Sequence, residues 1–165
     1  MDTTVIIVSY KSNHLIEKNI EIFDKKTKII IIDNSQDENL KKDIEKKHEN
    51  VSVILNLNKG FGQAANLGAK LANTKYVFFC SPDNYVEKNA THELKKICKE
   101  LKDDFGILIL SEEKEIISKI IKIEKPSGAL CFFIQREIFL EMSGFDENFF
   151  LFYEDHDLLK RFLDK

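Results

Sequence analysis

Four short runs of β-branched and aromatic residues lie in the first half of the chain, and helical spacing of apolar residues follows each run. The runs cover residues 3–10, 28–33, 51–55 and 76–80. Each is almost continuously apolar, which is typical of a strand buried on both faces. Such strands, alternating with helices, predict an α/β fold with a mostly parallel sheet flanked by helices.

Helix signals lie between these predicted strands. Ser12 is a candidate cap for the first helix, and Ser35 with Glu38 has the spacing of a capping box for the second. Further helices are predicted over residues 63–73 and around residues 94–101, where apolar side chains recur at helical intervals.

The pattern changes after about residue 105. Strands are predicted at 106–110, 116–123 and 127–134, and a short helix at 136–143, so the second part is mixed rather than repeating. The length of 165 residues is that of one domain.

Composition excludes several classes of protein. A net charge of −3 provides no basic surface for nucleic acid. The three cysteines are far apart in the sequence, which argues against a structural zinc site and for a reducing compartment. No signal peptide or membrane-spanning run is evident, so we expect a soluble, cytoplasmic protein and leave peripheral membrane contact open.

A glycine turn at 144, an aromatic run at 149–153 and an acidic cluster follow one another near the end of the chain. The cluster contains Glu154, Asp155 and Asp157. Carboxylates beside large apolar rings are costly unless a cation meets them or chemistry requires a tuned pKa, and this predicts the edge of an active site. The same carboxylates would also suit the N-terminal dipole of a last helix, and both interpretations stay open.

Polar residues follow all four strands of the first half. They are Tyr10, the segments 33–35 and 58–62, and the segment 81–83. In an open parallel sheet, ligands bind beyond the carboxyl ends of the strands. Asp33 by itself would equally suit a turn or a helix cap, but the convergence of four such loops on one rim predicts a ligand site.

The segment 60–65 fits the pattern G-x-G-x-x-A and opens a helix, which raises a dinucleotide-binding oxidoreductase as an alternative. That fingerprint belongs after the first strand, where this chain has no glycine, and we therefore set the alternative aside. Gly60 and Gly62 equally permit a tight turn, with the helix lying close to the sheet.

These motifs together resemble the family 2 glycosyltransferases with the GT-A fold, in particular their rhamnosyltransferase-like branch. The resemblance runs through nearly the whole chain, and its most specific part is the stretch 144–158 followed by Arg161. The other matching segments are 8–10, 32–35, 58–62, 65–68, 82–83 and 128–129. The halves it implies are a nucleotide-binding part, about 1–104, and a sugar and acceptor part, about 105–165.

The resemblance implies roles for residues of the first half. The expected nucleotide-binding residues are Tyr10, Asp33, Asn58, Gly62 and Asp83. Tyr10 and Asp33 would hold the base. Asp83 matches the last aspartate of the family's Asp-x-Asp motif and would bind a divalent cation, Mg²⁺ or Mn²⁺.

In the second half, Asp155 matches the catalytic base of the family. Gly128 and Ala129 lie where the donor sugar is held, and Glu154 and Arg161 are expected beside the donor or acceptor sugar. We expect the aromatic run 149–153 to contribute to the core and to an acceptor wall.

The chemistry suits these residue types. A departing diphosphate needs its charge neutralised, which a cation held by carboxylate and phosphate oxygens does. A positioned carboxylate accepts the proton of the attacking hydroxyl, and one in-line displacement inverts the anomeric carbon. The resemblance therefore implies transfer of a hexose or deoxyhexose from a nucleotide-diphosphate sugar to a glycan or lipid-linked glycan, in surface polysaccharide synthesis at the inner face of the membrane.

Two features depart from the family pattern. Ser81 stands where many relatives have aspartate, and the sequence ends at Lys165, where relatives usually continue. The sugar and acceptor half is therefore treated as a candidate for truncation. A non-catalytic module that binds a nucleotide sugar or a partner is the main alternative function.

Overall fold

The computed structural model describes residues 2–83, 86–88, 90–102, 105–109 and 131–164. Within them a six-stranded sheet has the order β3-β2-β1-β4-β6-β5. Its strands are β1 (Thr3–Ser9), β2 (Lys28–Asp33), β3 (Val51–Leu55), β4 (Tyr76–Cys80), β5 (Ile107–Ile109) and β6 (Phe132–Gln135). The α/β fold with helices against a mixed sheet is confirmed.

The first four strands are parallel, and the last two introduce antiparallel pairs. β1 lies between β2 and β4 and is parallel to both. β6 is antiparallel to β4, with Phe79 opposite Phe132, and β5 is antiparallel to β6. The sheet is therefore mixed in its C-terminal part, as predicted from the loss of the repeating pattern.

Helices cover both faces of the sheet. They are α1 (Asn13–Ile20), α2 (Glu38–Lys47), α3 (Phe61–Leu71), α4 (Ala90–Glu100), α5 (Arg136–Glu141) and α6 (Glu154–Leu163). Buried side chains of α1, α2 and α4 share one apolar cluster, and those of α3, α5 and α6 share the other. Two-sided burial explains why the strands are apolar at consecutive positions.

Alternate residues of each central strand enter opposite clusters. In β1, Val5 and Ile7 belong to the first cluster and Ile6 to the second. Aromatic pairs across β4 and β6 add to this packing, since the ring centres of Phe79 and Phe132 are 4.7 Å apart. Burial of these large side chains is the main stabilising contribution to the sheet.

The predicted capping box is wrong. Asp37 is the N-cap of α2, and its Oδ1 accepts hydrogen bonds from the backbone N–H groups of Asn39 and Leu40. Ser12 does precede α1, but its side chain makes no cap hydrogen bond and donates to the Tyr10 carbonyl oxygen. Ser35 is used elsewhere, because its hydroxyl donates to Asp33.

Other element boundaries shift by a few residues. α3 begins at Phe61, two residues before the predicted start, because Gly60 has the positive φ of +103° that directs the chain into the helix. The strand predicted at 127–134 is observed as β6, and the part of it before residue 131 lies outside the described residues. The strand predicted at 116–123 lies wholly outside them.

Candidate active site at the carboxyl edge of the sheet

The order of the strands defines where a ligand binds. From β1 the chain proceeds outward to β2 and β3, and β4 then pairs with the opposite side of β1. The carboxyl ends of β1 and β4 are therefore adjacent at one edge of the sheet, which is where open α/β sheets bind ligands. Tyr10 and the segment 81–83 follow these two strand ends at that edge.

Tyr10 is exposed, at 50% of its full accessible area, and its ring is available to a flat ligand. The Nζ of Lys11 lies 5.2 Å from the centre of the ring. The Lys11 backbone adopts a positive φ of +54°, and its N–H donates to the Ser35 hydroxyl oxygen at 2.7 Å. This bond joins the loop after β1 to the loop after β2, which holds Tyr10 at the rim.

Asp33 is fully buried at the end of β2. Its Oδ1 accepts from the backbone N–H of Ser35 at 3.1 Å and from the Ser35 hydroxyl at 2.8 Å, and its Oδ2 accepts from the Asp37 N–H at 2.7 Å. The carboxylate therefore shapes the turn that leads into α2. Contact between Asp33 and a nucleotide base would require this turn to open.

Side-chain amides connect the loops after β2 and β3. Asn56 Nδ2 donates to Asn34 Oδ1 at 2.8 Å and to Gln63 Oε1 at 2.9 Å. Asn58 is exposed, and its Oδ1 accepts from the backbone N–H of Gly60 at 3.2 Å. Asn58 thus supports the loop of residues 58–62, here called the glycine loop, and leaves its amide group at the surface of the site.

The glycine loop is occupied by the chain's own C-terminal segment. The backbone N–H of Phe61 donates to the Phe150 carbonyl oxygen at 3.1 Å, and a Cβ on Gly60 would collide with that oxygen. A Cβ on Gly62 would lie 2.9 Å from Cβ of Phe145. Gly62 is buried against Phe145, so the two glycines allow close backbone approach, and the place of Gly62 in the lining of a nucleotide pocket stays a prediction.

Asn66 also holds the C-terminal segment against α3, and this role was not predicted from the sequence. It is buried on α3, where its Nδ2 donates to the Phe145 carbonyl oxygen at 2.9 Å and its Oδ1 accepts from the Phe145 N–H at 2.9 Å. Gly144, at a φ of +63°, has no room for a side chain against Asn66. The available signal was an asparagine on the apolar face of a helix, because a buried amide requires partners.

The acidic cluster lies in the first turn of α6. Asp155 is buried, and its Oδ1 accepts from the His156 backbone N–H and lies 2.8 Å from His156 Nδ1. No described residue donates a hydrogen bond to its Oδ2. Glu154 is also buried, and its Oε2 has no hydrogen-bond partner among the described residues. Burial raises the pKa of the Glu154 carboxyl, and the adjacent Asp155 charge contributes in the same direction.

Arg161 has a structural role in this site, and its contact with a sugar stays a prediction. Its Nε donates to Asp157 Oδ2, and its two terminal nitrogens donate to the carbonyl oxygens of Met142 and Gly144, all at 2.7 Å. The guanidinium therefore fastens α6 to the turn before it. With Nε and both terminal nitrogens bonded to protein oxygens, it fixes the position of the acidic cluster.

The aromatic run before α6 is exposed, so the prediction that it contributes to the core is wrong. The accessible fractions are 58% for Phe150 and 70% for Phe152, with Leu151 and Tyr153 similarly exposed. Phe152 and Tyr153 have positive φ angles of +67° and +69°, which turn the chain sharply into α6. The turn directs these side chains outward, and the interpretation as an acceptor wall stays a prediction.

Asp83 is exposed in the turn after β4, and α1 supports this turn through a 3.4 Å hydrogen bond from Asn19 Nδ2 to the Pro82 carbonyl oxygen. No group of three candidate metal ligands exists among the described residues. One accessible carboxylate still fits Mg²⁺ or Mn²⁺, because such ions are commonly held by one or two carboxylates together with substrate phosphates. Gly128 and Ala129, the predicted donor-sugar residues, lie outside the described residues.

Loops that follow parallel strands converge on one edge of this α/β sheet, which is where ligands bind in folds of this class. The family described as "Glycosyl transferase family 2" matches residues 4–154, and the chain belongs to that family. No curated protein sequence gives a significant match. No described helix is long and apolar enough to cross a membrane.

Solved structures of S. aureus TarS share the fold. The chain aligns with TarS 1–349 in complex with UDP at 18% identity and a TM-score of 0.74, covering 99% of this chain and 56% of that one. The complex of TarS 1–349 with UDP-GlcNAc aligns at 18% identity and a TM-score of 0.66, covering 88% and 49%. The chain thus spans about half the length of these relatives.

Proposed function

We propose that this protein is an inverting glycosyltransferase that moves a sugar from a nucleoside-diphosphate donor to a hydroxyl group. The observation that carries the proposal is the pair of buried carboxylates at the start of α6, in a member of glycosyl transferase family 2: among the described residues, Glu154 Oε2 has no hydrogen-bond partner and Asp155 is bonded through Oδ1. TarS, which shares the fold, binds UDP and UDP-GlcNAc, and this supports a uridine diphosphate sugar as the donor.

Asp155 is the base in this proposal. Its Oδ1 is held by His156, so its Oδ2 is the oxygen available to take the proton from the acceptor hydroxyl. Arg161 and Asn66 act through other residues, because they fix the turn that precedes α6. Glu154, beside Asp155, would accept a hydrogen bond from a sugar hydroxyl at Oε2.

Tyr10 contacts the base of the nucleotide, and Asn58 is within the same rim. Asp83 is the residue that would hold a divalent cation. Such a cation neutralises the charge that develops on the diphosphate leaving group. The nucleotide half then covers about residues 1–104, and the sugar and acceptor half about 105–165.

The rhamnosyltransferase-like branch, transfer of a hexose or deoxyhexose, and a cytoplasmic role in surface polysaccharide synthesis extend this proposal. Their support is the motif at 144–158, together with the exposed aromatic run, which suits a glycan or lipid-linked acceptor at the membrane face. The dinucleotide-binding alternative loses its only support, since the Phe150 backbone occupies the glycine loop.

Thermal shift and calorimetry with UDP, with and without Mn²⁺, test the donor site. At 100 times its dissociation constant a ligand stabilises the fold by about 2.7 kcal/mol. Asp83→Ala should remove the metal-dependent part of UDP binding and retain uridine binding, whereas Tyr10→Ala should weaken both. No shift with any nucleoside diphosphate at millimolar ligand and metal would overturn the proposal.

A transfer assay separates the enzyme from the non-catalytic binding module. UDP release from UDP-sugars should accelerate when a hydroxyl acceptor is added. Binding of UDP without release or transfer under any donor and acceptor tried would favour the module.

A further inference from the structure

Cys80 and Cys131 face each other in the first apolar cluster, with their Sγ atoms 3.7 Å apart. Cys80 ends β4, and Cys131 immediately precedes β6. The register of these antiparallel strands places Phe79 opposite Phe132, so the two cysteines form the next opposed pair. Both are free thiols.

A buried cysteine usually acts as a small apolar side chain. The arrangement here differs because the two sulfur atoms contact each other across neighbouring strands. Opposed residues of an antiparallel pair have Cα atoms about 4.5–5.5 Å apart, which lies within the range that a disulfide bridges. Rotation of the two side chains is then enough to bring the sulfurs to bonding distance, without movement of the strands.

We propose that Cys80 and Cys131 are a site of reversible oxidation, at which hydrogen peroxide forms a disulfide between β4 and β6. In the first step a thiolate attacks the peroxide: an S–O bond forms, the O–O bond breaks, and the departing hydroxide becomes water. In the second step the other sulfur attacks the sulfenic acid: the S–S bond forms, the S–O bond breaks, and a second water leaves. The two thiols lose two electrons, and one peroxide is reduced to two waters.

The environment assigns an order to the two thiols. Cys131 is 7% exposed and Cys80 is fully buried, so peroxide reaches Cys131 first. Burial also raises the pKa of the Cys80 thiol well above its ordinary value, and the neighbouring Cys131 adds to the increase. Cys80 is therefore protonated at neutral pH, which makes the resolving step the slower one, and in that step its proton goes to the departing hydroxide.

The position of the pair connects it with the candidate active site. Cys80 directly precedes the segment 81–83, which carries Asp83 at the carboxyl edge of the sheet beside β1. A disulfide at this point would tie the start of that turn to β6. The site of oxidation is independent of the proposed transferase activity, because it depends only on the two strands.

The test treats the complete folded chain with hydrogen peroxide, quenches it with acid, and then alkylates it under denaturing conditions. Of the three cysteines, only Cys98 should take up the alkylating reagent, and digestion should yield one linked peptide containing Cys80 and Cys131. Dithiothreitol should restore all three thiols. The rate should increase with pH, because thiolate is the reacting form.

Cys98→Ser is the matched control, since Cys98 is a buried cysteine of the same cluster and should not affect the link. Cys131→Ala should leave Cys80 reduced after the same treatment, and circular dichroism shows whether this variant is folded. Should it fail to fold, peptide mapping of the wild-type chain decides alone. A peroxide-treated wild-type protein in which Cys80 stays reduced, or in which Cys98 enters the disulfide, overturns the proposal.

Discussion

Two buried acidic sites at the carboxyl edge of the sheet differ in how their oxygen atoms are used. Both oxygens of Asp33 accept hydrogen bonds from its own turn. At the start of α6, in contrast, Glu154 Oε2 has no partner among the described residues, and Asp155 is held through Oδ1 alone. A satisfied buried carboxylate stabilises local structure, whereas one with an open oxygen costs stability and is retained where a ligand or a proton meets it.

The largest expected effect is on turnover in Asp155→Asn. The amide has nearly the same shape as the carboxylate but cannot accept the proton of the acceptor hydroxyl. Sugar transfer should fall by about 10²–10⁴-fold, the usual contribution of a general base, with donor affinity and Tm almost unchanged. Transfer rate, UDP affinity and Tm should be measured on the same preparation.

Asp164→Asn provides the control for that experiment, because Asp164 is an exposed aspartate at the opposite end of α6. Its transfer rate should equal that of the wild type. An Asp155→Asn protein that keeps most of its activity would show that the open oxygen is not the proton acceptor, and Glu154 would become the next candidate.

Asp33→Ala should mainly lower stability. The substitution removes three hydrogen bonds to a buried carboxylate and leaves the Asp37 N–H without an acceptor. Bonds to a charged group contribute about 1.5–3 kcal/mol each, and partial rehydration of the turn reduces the total loss to about 3 kcal/mol. The Tm should fall by about 6–12 °C in a domain of this size.

An Asp33→Ala protein that melts like the wild type but no longer binds UDP would contradict the structural role of Asp33. That result would mean that the turn opens and that Asp33 contacts the base. Asp33→Asn is a graded variant, because its single side-chain oxygen can still accept from Ser35. We expect its loss of stability to be about half that of the alanine variant.

Asn66→Ala tests the attachment that holds the second acidic site in place. It leaves the buried N–H and carbonyl groups of Phe145 without their partners, at a cost of about 1–3 kcal/mol. Because this turn leads to Asp155, transfer should fall more than UDP binding does. Asn73→Ala, at an exposed position near the other end of the strands, should change neither Tm nor activity. Equal effects of both substitutions would contradict the attachment.

The smallest effect concerns the pH dependence of stability at Glu154. Because burial raises its pKa in the folded state, the folded protein binds this proton more tightly than the unfolded chain does. The contribution to stability is complete below the ordinary carboxyl pKa and is lost as the pH rises through the raised value. Glu154→Gln lacks this loss, so its Tm should increasingly exceed that of the wild type as the pH rises above the ordinary carboxyl pKa of about 4.

Near pH 4 the two proteins should melt at similar temperatures, so the Tm values near pH 4 are the control for those at higher pH. A Tm difference that stays constant over the whole range would show that the Glu154 carboxyl is not destabilised by burial. Bound UDP-sugar should reduce the difference, provided that a sugar hydroxyl donates to Oε2.

Much of the fold could be predicted from the sequence, because burial of a sheet on both faces requires strands with apolar residues at consecutive positions. Strands that are apolar at every position, separated by helical spacing, indicate a covered parallel sheet. The early strand and helix boundaries are correct within a few residues. The N-cap of α2 was predicted at the wrong residue because Asp37 and Ser35 both have cap-forming side chains, and only the turn around Asp33 decides between them.

Local sequence determined which segments are strands and helices and which residues carry chemistry, since periodicity and residue type are local properties. The tertiary structure alone decided which of those residues are open to a ligand. The glycines that fit the dinucleotide-binding pattern contact the Phe150 and Phe145 segment, Arg161 donates to carbonyl oxygens, and Asp33 is enclosed by its own turn. Exposure depends on residues distant in sequence, because the partners that satisfy a polar group in a packed interior are supplied by other elements of the fold.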